Sequence, residues 1–260
     1  MAALMYKNLR VHYTITGEGP SVVLLHGFLE DLSMWSQLEP TLSGKYRVIC
    51  IDLLGHGKTE NLGYVHSMEE QAAMVRYVLD SLQVDRASLI GHSMGGYVAL
   101  AFSEMFPGMV RSLCLMNSTA MADDPERKRN RDRGVKAVKK NYRTFIRLAI
   151  PNLFAEENRS IYASEISEIT KQGLRMSAQG IIASLEGMKD RPDRVHVLES
   201  AAFPRMLILG EKDPALPYSS VKAQQDIPGV MSVVFPDGHM SHIENKAELE
   251  AAVHKFLLQA

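Results

Sequence analysis

The chain has 260 residues, of which 46% are hydrophobic and 23% charged, with 29 Lys plus Arg against 30 Asp plus Glu. That ordinary mixture and a net charge of −1 exclude a disordered chain, a coiled coil and a disulfide-dense mini-protein. No basic excess points to nucleic acid, and the length suits one large α/β domain or one domain with an insertion.

Residues 1–10 hold no apolar stretch long enough for a signal peptide, and no later segment approaches a membrane span. A soluble cytoplasmic protein is therefore expected. Residues 11–16 alternate with period two and stop at a Gly-Glu-Gly-Pro turn. Residues 22–25 form a continuous apolar run, as in a strand buried on both faces, and 48–51, 87–90 and 113–116 repeat the type. Between them, Ala72, Val75, Val78, Leu79 and Leu82 recur at helical spacing behind Ser67 and Glu70, a capping-box pair. Strand-type runs return at 206–209 and 230–235, followed by a terminal helix over about 244–258. This alternation predicts an α/β fold with a mostly parallel sheet and helices on both faces. Cys50 and Cys114 each sit inside an apolar run and read as small buried hydrophobes.

Residues 118–202 break the rhythm, being too long for a loop and without a strand-type run. They read as a helical insertion over a core made of 1–117 and 203–260. Val135, Val138, Tyr142, Phe145, Ile146 and Ala149 form one apolar face that Pro151 ends. The basic run Arg127, Lys128, Arg129, Arg131, Arg133 reads as a solvated helix face.

The chemical signal is Gly91-His92-Ser93-Met94-Gly95, placed where a strand ends and a helix begins. A serine on that sharp turn projects its hydroxyl from the sheet edge, and the glycines let strand and helix approach. The glycines lack dinucleotide-fold spacing, and Asp52 stands where a P-loop before Gly57-Lys58-Thr59 would need glycine. An ordinary serine is a poor nucleophile, so a base and an orienting acid are required. Asp213 lies just past one late strand and His239 just past the last, giving the chain order Ser93, Asp213, His239.

With these motifs the sequence resembles the α/β-hydrolase superfamily along essentially its whole length. The resemblance rests on Leu25-His26-Gly27-Phe28, Asp52 to Gly57, the Ser93 elbow, Gly210 to Asp213, and Gly238-His239 with Glu244. Leu54 departs from it, standing where relatives usually carry proline. The resemblance implies an eight-stranded-type sheet, a helical cap formed by 118–202, and an oxyanion hole from the backbone N–H groups of Phe28 and Met94. It favours His239 over His242 as base and Asp213 over Glu211 and Asp237 as acid, and leaves His26 bracing its loop. A pocket is expected from His92, Met121 and Tyr142, with Trp35 either in it or in a helix-face core. The implied activity is a serine esterase for small to medium carboxylic esters, working through an acyl-enzyme with water as the second substrate. No cofactor, metal, nucleic acid or membrane is called for. The alternatives are a C–C bond hydrolase, a menaquinone-pathway-type lyase or a perhydrolase. Such lyases usually carry tyrosine before the serine and arginine after the glycine pair, where this chain has His92 and Tyr97. Serine at the elbow departs from epoxide hydrolases and haloalkane dehalogenases, which place aspartate there, and an intact set of positions disfavours a non-catalytic scaffold.

Overall fold

Each apolar run of the sequence becomes a strand in the computed structural model, which describes residues 2–259. In chain order these are β1 (Ala2–Tyr6), β2 (Leu9–Thr16), β3 (Ser21–Leu25), β4 (Arg47–Ile51), β5 (Ala87–His92), β6 (Val110–Met116), β7 (Arg205–Gly210) and β8 (Val230–Phe235). They form one sheet in the order β1-β2-β4-β3-β5-β6-β7-β8. The pairs β1–β2 and β2–β4 are antiparallel and the rest are parallel. Register aligns the carboxyl ends: Leu25 stands opposite Gly91, His92 opposite Met116, and Gly210 opposite Phe235. That shared edge is where an open α/β sheet puts its ligand site. Strand β1 was not foreseen; it pairs through a two-residue turn in which Lys7 and Asn8 both take positive φ, a hairpin that Lys-Asn signals only weakly.

Period-two alternation divides the strands between two cores. Val23, Leu25, Ile49, Ile51, Leu89, Leu113, Leu115 and Leu207 face one side, Val22, Leu24, Val48, Cys50, Ile90, Cys114 and Ile208 the other. Each such side chain, once fully buried, contributes about 2 kcal/mol. The short helix α1 (Glu39–Leu42) belongs to the second core; α2 (Met68–Ser81) and α3 (Met94–Met105) cover the first. Ser67 caps α2 by accepting from the Glu70 N–H, but the box closes only halfway: the Glu70 carboxylate turns to the Tyr6 hydroxyl and the Lys7 ammonium.

Between β6 and β7 lie α4 (Pro125–Ala149), α5 (Ala163–Gly173), α6 (Ala178–Lys189) and α7 (Val195–Ser200), with no strand among the described residues there. Asp124 starts α4, its Oδ1 accepting from the N–H groups of Glu126 and Arg127, and Pro125 follows at the first position. The apolar face read from the sequence is not one straight stripe. Asn141 leaves helical geometry (φ −165°, ψ 95°) and its side chain accepts from Thr144 N–H, capping a second limb. Two buried arginines fasten this segment to the core. Arg191 pairs with Asp123 at 2.7 Å and lies 3.8 Å over the Tyr97 ring, and Arg194 bridges Glu69 and Glu104. The chain closes with α8 (Tyr218–Val221), α9 (Ser241–Glu244) and α10 (Lys246–Leu257), the expected terminal helix being interrupted at Asn245.

Burial holds three histidines neutral. His66 and His242 are lowered to about 4 and His56 falls well below the ordinary value. In the unfolded chain each takes a proton near pH 6.5, whereas in the fold His66 and His242 resist protonation until about pH 4 and His56 until well below its ordinary range. Stability is therefore complete above pH 6.5 and declines as the pH falls toward 4, by up to about 3 kcal/mol for each fully shifted group. Urea unfolding at a series of pH values checks this; a stability unchanged between pH 7 and 4.5 would contradict it.

Candidate active site

Six loops, one after each of the parallel strands β3 to β8, leave the carboxyl edge of the sheet. After β5, Ser93 is forced to φ +49° and ψ −113°, a conformation that costs a non-glycine residue about 1–3 kcal/mol. It persists because the neighbouring backbone is pinned: Ser93 N–H donates to Met116 O at 2.9 Å, and Ser93 O accepts from Gly96 N–H and the Ser118 hydroxyl. The flanking glycines are required by proximity. A Cβ at Gly91 would collide with the Gly95 carbonyl, and one at Gly95 with the Leu25 carbonyl. The Ser93 side chain makes no capping bond to α3, so its hydroxyl is not consumed by the helix it starts. Met94 opens that helix, where amides have no intrahelical partner and the dipole favours negative charge.

After β7 and β8 come Asp213 and His239, both 4% exposed. His239 Nδ1 lies 2.6 Å from Asp213 Oδ2, which leaves Nε2 as the other ring nitrogen available for chemistry. Asp213 is itself held: Oδ1 accepts from the N–H groups of Ala215 and Leu216, and Oδ2 from Asn117 Nδ2. Four donors on one carboxylate fix its position. Asn117 also bonds Gly238 O, so one side chain ties Asp213 to the turn before His239. Glu244 explains its own place in the motif, accepting from Met240, Ala155 and Asn158 and anchoring the loop that carries His239.

His26 braces its loop as expected, donating from Nδ1 to Gly27 O and accepting at Nε2 from Leu53 N–H. Asp52 is a hub for His12, Leu32 and Lys58.

Sequence reasoning missed Glu30. Its carboxylate is buried and accepts from the Gly27 N–H and from His92 Nδ1 at 2.8 Å. His92 Nε2 faces His239 O at 3.0 Å. Both ring nitrogens of His92 therefore face groups that only accept, so the ring carries both protons and is cationic. Burial opposes that charge, but the Glu30 carboxylate outweighs it and raises His92; in return His92 holds Glu30 well below the ordinary carboxylate value. Only the loop spacing of Glu30 from His26 was visible beforehand, and that does not reveal a partner 62 residues away.

Ser93, His92, His239 and Phe28 share the wall of a cavity of about 110 Å³. A second cavity of about 490 Å³ adjoins it, with Phe28, Arg127, Arg131 and Ala215 common to both. Three expected pocket residues are elsewhere. Trp35 is fully buried in the second core with Val22, Leu24 and Leu38, on the opposite face of the sheet. Met121 is 41% exposed, and Tyr142, next to the kink at Asn141, lines neither cavity; Phe145 and Leu185 line the larger one instead. His242 packs on the His92 ring but lines neither cavity, Glu211 is exposed, and Asp237 accepts from Asn158 and Asn245. Among the described residues, no group of three or more His, Cys, Asp or Glu is arranged to hold a metal ion.

The sheet order, the strained serine and the acid–histidine pair agree with the sequence match: the chain belongs to the alpha/beta hydrolase fold family, whose pattern matches residues 20–246. A thermophilic esterase from Thermogutta terrifontis is 30% identical with a TM-score of 0.91, over 98% of this chain and 97% of that one. A putative 2-succinyl-6-hydroxy-2,4-cyclohexadiene-1-carboxylate synthase of Bacillus subtilis is 30% identical over 95% of both chains. A 2-hydroxy-6-oxononadienedioate/2-hydroxy-6-oxononatrienedioate hydrolase of Burkholderia vietnamiensis is 30% identical over 96% of this chain and 91% of its own. An uncharacterized protein of Mycobacterium tuberculosis is 33% identical over 112 residues, so that match spans 43% of this chain and about a third of the relative's length, 33%.

Proposed function

We propose that the protein is a serine hydrolase of small to medium carboxylic esters, with Ser93 as nucleophile, His239 as base and Asp213 as the acid that orients it. The observation that carries this reading is the strained Ser93 in one cavity wall with His239, whose far nitrogen is locked to Asp213 at 2.6 Å. In this mechanism Ser93 Oγ attacks the ester carbonyl while His239 Nε2 takes its proton. The N–H groups of Phe28 and Met94 receive the oxyanion, each donor worth on the order of 3 kcal/mol. His239 then protonates the departing alcohol, and water attacks the acyl-enzyme by the same route.

Residues 118–202 act as the cap in this reading, since α4 and α6 supply Arg127, Arg131 and Met188 to the wall of the cavity that holds Ser93. The cavity at Ser93 is well below the usual ligand-pocket volume, whereas the adjoining one falls within that range. A short acyl group at the serine, with the alcohol portion in the outer cavity, fits this division. A cytoplasmic location rests on two unpaired cysteines, both buried.

Hydrolysis of a C–C bond by the same residues is a second reading, supported by the resemblance to the Burkholderia vietnamiensis hydrolase. The lyase pattern gains less support, because Tyr97, where lyases carry arginine, is instead stacked under Arg191.

A fluorophosphonate probe tests the class, and a panel of p-nitrophenyl acyl esters, lactones and a dienoate C–C substrate tests the bond. The expected result is stoichiometric labelling lost in Ser93→Ala, with fastest turnover on short acyl esters. Folded protein that takes no label and cleaves no member of the panel would overturn the proposal.

A further inference from the structure

The basic run at the start of α4 does not behave as one solvated face. Lys128, Arg129 and Arg133 are exposed, but Arg127 and Arg131, one helical turn apart, are about three-quarters buried, their side chains 23% and 22% exposed. Both line the cavity that holds Ser93 and His239, and both continue into the larger cavity.

Their existing partners leave much of each guanidinium unused. Arg131 meets Asp123 through Nε at 3.0 Å, and among the described residues its two Nη groups bond no acceptor. Asp123 is shared, its other oxygen taken by Arg191 at 2.7 Å, so one carboxylate stands between two cations. Arg127 has a loose approach to Asp124 at 3.9 Å and a long contact from Nη2 to the Ser220 hydroxyl at 3.4 Å. The other Asp124 oxygen is committed to capping the helix. No Asp or Glu lines the cavity at Ser93; Asp124 and Glu126 line only the outer one. Partly desolvated guanidinium groups facing a cavity without a counter-ion in its wall call for an anion, and their planar forks match a carboxylate.

We propose that Arg127 and Arg131 form a carboxylate-recognition site, and that the substrate is an ester whose acyl part ends in a second carboxylate, a short dicarboxylic acid monoester. The proposal rests on the hydrolase reading above and narrows its substrate class. The acyl part stays bonded to Ser93 in the acyl-enzyme and therefore occupies the inner cavity, whose wall contains both arginines. That cavity has the volume of about four waters, which limits the chain between the two carboxyl groups to a few carbons.

Monoethyl succinate and ethyl butanoate have acyl chains of equal length and differ in the terminal carboxylate. Their hydrolysis, followed by pH-stat, gives a ratio of kcat/KM for anionic over neutral ester. The wild-type ratio is expected to exceed about 10 at low salt and to fall as salt screens the charge. In Arg127→Gln/Arg131→Gln the ratio should drop about 10- to 100-fold, mostly through KM for the succinate ester. Arg129→Gln removes the same charge from the exposed side of α4 and should leave the ratio within about twofold. A wild-type ratio near one, or a ratio unmoved in the double variant, overturns the proposal. Fluorophosphonate labelling counts folded active sites in every variant. Calorimetric titration with succinate separates the two readings. Binding lost in the double variant, in protein that hydrolyses neither ester, keeps the anion site and rejects the hydrolase assignment. Succinate binding that does not depend on the arginines rejects the anion site alone.

Discussion

Replacing Ser93 with alanine is expected to lower kcat for a short p-nitrophenyl ester by on the order of 10⁶-fold. In the proposed mechanism no acyl-enzyme forms without the hydroxyl oxygen, and the remaining donors would only polarise the carbonyl. Folding stability should change by no more than about 0.5 kcal/mol. Alanine keeps the backbone strain of φ +49°, and the Ser93 side chain makes no helix-capping bond that would be lost. Steady-state kinetics and thermal melts on the same preparation check both parts. Turnover near the wild-type rate would mean that another group supplies the nucleophile.

The second large effect should separate two histidines that stand three residues apart. His239→Ala is expected to cost kcat about as much as loss of the serine, because the two act as one unit. His242→Ala should stay within about tenfold of wild type. His239 is locked to Asp213 and lines the cavity, whereas His242 is buried behind His92 and lines neither cavity. Its ring is held neutral to about pH 4 by burial, so it neither gains nor donates a proton at working pH. The kcat values of the two variants decide the matter, and a reversed ranking would move the base to His242.

What the sequence revealed, and what it hid, divides along the range of the interactions involved. Strands β3 to β7 were legible because a doubly buried strand must be apolar throughout, and β8 from its apolar run although it is a half-exposed edge strand. The turn around Ser93 was legible because strained geometry demands small neighbours. The order Ser93, Asp213, His239 followed from placing each residue one loop beyond a strand, and the three loops do converge on one edge. Trp35 was ambiguous because an apolar ring on a short helical turn reads the same whichever core receives it. Tyr142 and Phe145 share one helical pattern, and only the break at Asn141 decides which reaches the cavity. Arg127 and Arg131 were hidden among basic neighbours, since a run of like charge does not say which members face inward. Glu30 was invisible for a different reason: its meaning lies in a cation it makes 62 residues away.

The Glu30–His92 pair has a consequence for motion. Glu30 grips the amide of Gly27, next to the Phe28 N–H, and His92 grips the carbonyl of His239, so two loops far apart in sequence are coupled through one buried charge pair. Opening the loop that carries Glu30 would strand the His92 charge in a dry interior, a penalty of several kcal/mol. Opening the loop of His239 leaves the ion pair intact and forfeits one charge-assisted hydrogen bond, about 1.5–3 kcal/mol. The 27–30 loop is therefore the harder of the two to open. The segment around 27–30 should exchange its amide hydrogens slowly and that around 237–240 somewhat faster, while the exposed limb of α4 around Asn141 exchanges on its own and fastest. The scaffold thus ties the loops of Phe28 and His239 to the end of β5 through the one ring of His92.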